Sequence, residues 1–210
     1  MIKILIADDH AVVREGVKYI LSEIQDIKVA GEAGNGQEAL EKIGKNDYDL
    51  ILLDIAMPGR DGLEILKDIK VLKPKLPVMI LSMFPEEQYA LRALKSGASG
   101  YLTKDSIPDE LIKAVRKILN GGKYVSSSFS DKLLFSLDSD ADRPLHDALS
   151  DREYQVLRLI ASGKTIKDIA DEMSLSVKTV STYRSRILEK MDMKNNAELT
   201  HYAIKHLLVD

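Results

Sequence analysis

Three acids, a serine and a lysine stand where they can act together. Asp8 and Asp9 follow the apolar run Ile2–Ala7, and Asp54 closes the run Leu50–Asp54. Ser82 closes the run 77–82, and Lys104 follows the run 99–103. Carboxylates crowded together repel one another, so they take up protons or hold a cation. Hard oxygen ligands with little else suit Mg²⁺ (or Mn²⁺), which keeps part of its water shell and bridges to phosphate. A carboxylate beside such an ion can attack a phosphoryl donor and become an aspartyl phosphate. Lys104 then offers a point charge, and Ser82 a hydroxyl, to the new phosphate oxygens. Singly, each residue has a plainer use: Asp8-Asp9 can cap the following helix, and Asp54 can brace the Met57-Pro58-Gly59 turn. The set taken together, in order and at one edge, points to phosphoryl chemistry.

The elements that must carry these residues are legible from periodicity. Five short apolar runs, at 2–7, 27–33, 50–54, 77–82 and 99–103, read as buried parallel strands. Amphipathic stretches of helical length separate them, at 11–25, 36–45, 62–73, 86–96 and 107–120. Asn35 is expected to cap the second helix, Gly97 to end the fourth, and Gly121-Gly122 to end the fifth. Successive β-α units predict an α/β fold: a doubly wound, five-stranded parallel sheet with helices on both faces. Ligands of such sheets bind beyond the carboxyl ends of the strands, which is the edge where the acids, Ser82 and Lys104 fall.

From 126 to 144 the chain turns polar and rich in turn formers, which predicts an interdomain linker, flexible over 138–144, with room for a short helix at 129–137. Residues 145–210 contain no strand-like run and predict a second, smaller all-α domain. Its helices are expected at 151–162, 165–173, 177–191 and 197–208. Ser150 with Glu153 makes a capping box for the first, Ser176 can cap the third, and Asn196 the last.

Helix, short turn and longer helix at 165–191 form a helix-turn-helix pattern. On the wheel of the longer helix, Val177, Val180, Ile187, Leu188 and Met191 form an apolar stripe. The opposite face carries Lys178, Ser181, Thr182, Ser185, Arg186 and Glu189. Short hydroxyl side chains permit close approach to a major groove, and Lys178 and Arg186 can meet phosphates. Arg184 falls on the apolar side, where a structural role competes with DNA contact.

Bulk composition narrows the classes. There is no cysteine, which excludes disulfides, thiolate metal sites and cysteine nucleophiles. No apolar run approaches the roughly 18–20 residues of a membrane helix, and the apolar start is too short for a signal peptide. The expectation is a cytoplasmic protein with no membrane partner. Net charge is −3, and residues 144–210 carry ten bases and ten acids, so no global field attracts nucleic acid. Residues 178–190 alone hold four bases against one acid. DNA binding must rest on that helix, and two half-sites engaged by a dimer would supply the affinity one copy lacks.

Residues 1–122 resemble the receiver domain of a bacterial two-component response regulator. The matching stretches are Leu5-Ile6-Ala7-Asp8-Asp9-His10, 49–54 with Met57-Pro58 and Gly62, Ile80-Leu81-Ser82, and Gly97-Ala98-Ser99-Gly100-Tyr101-Leu102-Thr103-Lys104-Asp105. The resemblance implies a flavodoxin-like fold, a histidine kinase partner and Asp54 as phosphoacceptor. It implies that Asp8, Asp9, Asp54 and the Ala56 backbone carbonyl hold Mg²⁺, that Lys104 contacts phosphate, and that Ser82 and Tyr101 form a switch pair. If Ser82 moves toward the phosphate, it vacates space for the Tyr101 ring. Asp105 stands where many members have proline.

Residues 145–208 resemble a LuxR-type helix-turn-helix, through Leu149-Ser150-Asp151-Arg152-Glu153, Ala161-Ser162-Gly163-Lys164-Thr165, Lys167-Asp168-Ile169-Ala170 and Ser176-Val177-Lys178-Thr179-Val180. The two halves together resemble response regulators of the NarL/FixJ class. This implies DNA contacts by Lys178, Thr179, Ser181, Thr182, Ser185 and Arg186, and a homodimer when phosphorylated. Tyr183 stands where many members have histidine. The last helix is the family's dimer contact, although Leu199, Tyr202, Ala203 and Ile204 serve equally as core. The resulting reading divides the chain into a receiver at 1–122, a linker at 123–144 and a DNA-binding domain at 145–210. It makes the chain a phosphorylation-dependent transcriptional regulator and not an enzyme. A phosphatase would need a second catalytic aspartate two residues after the nucleophile, where Ala56 stands. The other alternative is an output domain that binds RNA or protein, for which the recognition helix offers one stacking aromatic, Tyr183.

Overall fold

Strands that are apolar at every position need cover on both faces, and that is what the chain builds. The computed structural model describes residues 1–57, 60–131 and 144–209. Its strands are β1 (Ile2–Ala7), β2 (Ile27–Ala33), β3 (Leu50–Asp54), β4 (Val78–Ser82) and β5 (Gly100–Thr103). Every residue of β3 and β4 is buried. The strands are parallel and ordered β2-β1-β3-β4-β5. Strand order reverses between β1 and β3, and this switch point is where an open parallel sheet leaves a crevice.

The helices of this unit are α1 (Ala11–Ser22), α2 (Gly36–Lys45), α3 (Gly62–Leu72), α4 (Glu86–Lys95) and α5 (Ile107–Leu119). Val17 and Leu21 of α1 and Leu111, Ala114, Val115 and Ile118 of α5 join Ile4, Ile6, Leu50, Leu52 and Leu81 in one core layer. Leu5, Ile51, Leu53 and Ile80 alternate with these and are equally buried, facing the other side of the sheet. Asn35 caps α2 by accepting from Glu38 N (2.9 Å). Gly97 and Gly121 end α4 and α5 with φ of 100° and 83°, the left-handed region expected of a helix stop. Strand β4 starts one residue later than predicted because Pro77 has no N–H to donate; its carbonyl accepts from Ile51 N (3.0 Å) instead.

The open edge of β5 is covered by the chain leaving α5. Tyr101 N donates to Tyr124 O (2.8 Å) and Tyr124 N to Ser99 O (3.0 Å), a parallel bridge that extends the sheet by one residue. Tyr124, counted above in the linker, is thus buried against the sheet. Residues 127–131 are helical; the remainder of the helix expected at 129–137 lies outside the described residues. So do residues 138–143 of the stretch expected to be flexible, and Pro58 and Gly59 of the turn after Asp54.

Contacts divide the chain into two units, Met1–Leu134 and Phe135–Asp210. The described part of the second holds α6 (Asp151–Ala161), α7 (Ile166–Glu172), α8 (Val177–Lys190) and α9 (Asn196–Lys205), after a short 3₁₀ turn at Leu145–Ala148. Tyr154, Leu157, Ile160, Ile169, Val180, Ile187, Met191, Leu199 and Ala203 make its core. The Ser150–Glu153 capping box is present, and Thr165 with Asp168 forms a second one. Ser176 caps α8 by accepting from Thr179 N.

Two local expectations are corrected. Asn195, not Asn196, caps α9, accepting from Glu198 N (3.1 Å). The Asn196 side chain is occupied elsewhere, accepting from Arg184 Nε (2.6 Å). Val177 is 51% exposed and lies outside the core stripe. No helix among the described residues is long and apolar enough to cross a membrane.

Candidate functional site

The switch point brings the acids and Lys104 together. Asp8 leaves β1, Asp54 ends the neighbouring β3, and Lys104 leaves β5 in a 3₁₀ turn at Lys104–Ser106. The Lys104 ammonium lies 2.8 Å from Asp54 Oδ2 and 2.8 Å from Asp8 Oδ2. Its contact with Asp54 is an aligned hydrogen bond. Its contact with Asp8 is an ion pair without that alignment, which leaves Asp8 Oδ2 buried and short of a hydrogen bond. Asp8 and Asp54 are 0% and 1% exposed. The remaining Asp8 oxygen accepts from His10 N (2.8 Å), and Arg14 Nη1 donates to the Asp8 carbonyl (2.8 Å). Asp8 therefore shapes the turn that leads into α1 while still facing the crevice, but it does not cap that helix, whose N-cap is His10 with no side-chain cap hydrogen bond.

Ala56 N donates to Asp54 Oδ1 (3.1 Å), which puts residue 56 against this carboxylate. Gly62, the first residue of α3, approaches Asp54 so closely that a Cβ there would lie 2.4 Å from the Asp54 carbonyl oxygen. Only glycine lets α3 start against the end of β3.

Burial raises the Asp54 carboxyl above its ordinary range, with the Lys104 hydrogen bond and charge working against it. Burial also pulls Lys104 down, but the Asp54 hydrogen bond and the close carboxylates of Asp54 and Asp8 outweigh it and hold the ammonium above its usual value. One cation is thus shared by two buried carboxylates, and a third, Asp9, lies at the rim with 30% of its side chain exposed. Asp8, Asp9, His10 and Asp54 each offer one ligand atom, all within 4.8 Å of one another. A dense set of hard oxygen donors with an under-bonded buried oxygen fits a small divalent cation. His10 was not singled out from the sequence; its Nδ1 lies 2.8 Å from Asp9 Oδ1. Its place directly after two acids at a strand end was the available signal.

Ser82 is fully buried at the end of β4, and its Oγ accepts from Phe84 N (3.0 Å). Tyr101 is also fully buried, and its hydroxyl donates to the Phe84 carbonyl (2.8 Å). The switch expectation had the Tyr101 ring entering space vacated by Ser82; in this structure the ring is fully buried with Ser82 still bonded to Phe84 N. Phe84 links the two residues and was missed, because nothing local marks a backbone that serves two partners.

In the second unit, Lys178, Ser181, Thr182, Ser185 and Arg186 are exposed on α8 and Thr179 is half-buried. Thr182 Oγ1 donates to Lys178 O (3.0 Å) and Ser185 Oγ to Ser181 O (3.1 Å). Hydroxyls bonded back to their own helix present lone pairs outward, so they act as acceptors toward an approaching partner. Arg184 Nε donates to Asn196 Oδ1 of α9 (2.6 Å).

Comparison with known proteins agrees in both halves. Residues 4–116 match the family described as response regulator receiver domain. Residues 147–203 match the bacterial regulatory proteins of the luxR family. The chain is 34% identical over 207 residues to the response regulator UvrY of Escherichia coli (strain K12), covering 98% of this chain and 95% of that one. It is 37% identical over 211 residues to the response regulator GacA of Pseudomonas protegens, covering 100% of this chain and 99% of the relative. Among solved structures it resembles RcsB from Salmonella enterica serovar Typhimurium bound to promoter rprA in the presence of the phosphomimetic BeF₃⁻. That likeness has a TM-score of 0.68 at 28% identity, over 96% of this chain and 97% of the other.

Proposed function

The chain belongs to the two-component response regulators, a receiver domain joined to a LuxR-type output domain, and from that premise we propose which residues perform its phosphorylation-dependent control of transcription. Asp54 accepts the phosphoryl group from a histidine kinase. One of its carboxylate oxygens attacks phosphorus, the P–N bond to the kinase imidazole breaks, and the leaving nitrogen takes up a proton. Lys104 then pairs with a phosphate oxygen, and the Ser82 hydroxyl donates to another. Asp8, Asp9, Asp54 and the Ala56 carbonyl would hold Mg²⁺ (or Mn²⁺), with His10 beside them, and the ion when bound would supply positive charge against the carboxylates and the incoming phosphate.

The observation that carries this reading is Lys104, placed 2.8 Å from both Asp8 and Asp54 at the switch point of the sheet. Ala56 two residues beyond Asp54 offers no second acid, and this supports a phosphate-receiving regulator over an enzyme. The receiver spans 1–122 and the linker 123–144, with Tyr124 of the linker bridged to the receiver sheet. The output domain spans 145–210. Output consists of a homodimer that reads promoter DNA in the cytoplasm through Lys178, Thr179, Ser181, Thr182, Ser185 and Arg186. Tyr101 completes the switch with Ser82.

Incubation of the purified chain with acetyl phosphate and Mg²⁺, followed by phosphate-affinity gel electrophoresis, tests the site. A shifted band in the native chain that is lost in Asp54→Asn is expected; a native chain that does not shift overturns the assignment. A gel shift with duplex DNA, with and without the phosphodonor, tests the output, and no binding in either state overturns it.

A further inference from the structure

Glu86 opens α4 but does not face water as an acid in a first helical turn usually does; it is 9% exposed. Both of its carboxylate oxygens are taken by one residue beyond α5. Ser126 N donates to Glu86 Oε1 (2.8 Å), and the Ser126 hydroxyl donates to Oε2. Ser126 Oγ in turn accepts from Phe129 N (3.2 Å), holding the start of the helical stretch at 127–131. The same segment is tied to β5 through Tyr101 N and Tyr124 O. That contact needs glycine at 100, where a Cβ would meet Tyr124 O at 2.9 Å.

On its other side Glu86 lies two residues from Phe84. Phe84 N donates to Ser82 Oγ and Phe84 O accepts from the Tyr101 hydroxyl. Ser82 is thus bonded to Phe84, and Glu86, two residues further along the same backbone, is bonded to Ser126, so a short turn joins the end of β4 to the segment that leads out of the receiver.

We infer that Glu86 is a positioning residue that couples the phosphoacceptor site to the outgoing chain by clamping Ser126. The inference rests on the reading of Asp54 and Ser82 given above. When the Ser82 hydroxyl turns to donate to a phosphoryl oxygen, Phe84 N loses its acceptor. The turn at 84–86 shifts, and the Glu86 carboxylate lets go of Ser126. A message at Asp54 thereby becomes a change in how firmly residues 124–131 are held, the stretch through which the output domain is tethered.

Amide hydrogen exchange on the full chain, with and without beryllofluoride and Mg²⁺, tests this. Ser126 N–H and Phe129 N–H are the reporters, and the ¹⁹F signal of bound beryllofluoride reports occupancy at Asp54. The native chain is expected to show the bound signal and about tenfold faster exchange at both amides on adding beryllofluoride, the worth of about one hydrogen bond. Glu86→Ala is expected to bind beryllofluoride as the native chain does, with both amides already fast and no further response. Glu86→Gln, which keeps the volume, guards against misfolding and is expected to give a smaller response than the native chain. A bound signal with unchanged or slower exchange at both amides overturns the coupling and leaves the Asp54 reading standing. A full native response in the folded Glu86 variants also overturns it. Absence of the bound signal in the native chain overturns the Asp54 reading and the coupling with it.

Discussion

Lys104 Nζ lies 2.8 Å from Asp54 Oδ2, a hydrogen bond across 50 residues of sequence between side chains 5% and 0% exposed. Two buried carboxylates share this cation, so Lys104 holds the receiver together as well as serving its proposed chemistry. A lone buried charge is costly, and a pair that loses one member leaves such a charge behind.

Lys104→Met is therefore expected to destabilise the receiver by about 3 kcal/mol in metal-free buffer. Added Mg²⁺ should restore much of the loss by replacing the missing positive charge. Urea unfolding with and without Mg²⁺ measures both numbers, and a loss that the ion leaves unchanged would count against the cation site.

Gly62→Ala is expected to slow phosphorylation of Asp54 and to cost about 1–3 kcal/mol, because the new Cβ would lie 2.4 Å from the Asp54 carbonyl oxygen and 2.6 Å from Ile55 Cα. Gly16→Ala is the control. It lies within α1 with nothing inside 4 Å of an added Cβ, so it should raise stability by about 0.5–1 kcal/mol. Thermal melts of the two variants should move in opposite directions.

Glu153 supplies a pH test in the output domain. Burial pushes its carboxyl up, but the hydrogen bonds from Lys190 Nζ (2.6 Å) and Ser150 N (2.8 Å) prevail and hold it below the ordinary 4.5. A lowered folded-state pKa contributes stability that is present above pH 4.5 and lost as pH falls through the folded value. At pH 7, Glu153→Gln should cost about 1–2 kcal/mol, and the gap to the native chain should narrow steadily below pH 4.5. A gap that stays constant down to pH 3 in pH-resolved melts would refute the argument.

Arg184 and Arg186 are neighbours on α8 with different duties. Arg184 Nε bonds Asn196 Oδ1 at 2.6 Å and ties α8 to α9, whereas Arg186 is exposed on the outer face. Arg186→Ala should weaken binding to a duplex and reduce the slope of log K against log salt by about one. Arg184→Ala should lower the melting temperature and leave that slope unchanged. Salt titrations by fluorescence anisotropy separate the two; equal slopes for both variants would contradict this division.

Much of the site was legible in the sequence because its residues end apolar runs. A parallel strand buried on both faces reads as an uninterrupted apolar stretch, and the next polar residue marks the carboxyl edge. Asp8, Asp54, Ser82 and Lys104 were found that way. His10 and Phe84 were not, since one adds a ligand atom only when the turn into α1 folds back, and the other acts through its backbone. The cap of α9 falls on Asn195 where the sequence predicts Asn196, because the two asparagines are equivalent locally; in the fold Asn195 accepts from Glu198 N, and Asn196 accepts from Arg184, twelve residues away.

The sequence by itself determined the order of strands and helices, the edge at which the acids gather, and the outward polar face of α8. Periodicity is local and needs no knowledge of neighbours. Only the tertiary structure decided that Lys104 bridges Asp8 and Asp54 at 2.8 Å each, that Gly62 must lie against Asp54, and that Glu86 holds Ser126 across 40 residues. Those contacts join segments far apart in sequence, and their distances are set by how the helices pack on the sheet, which no local pattern records.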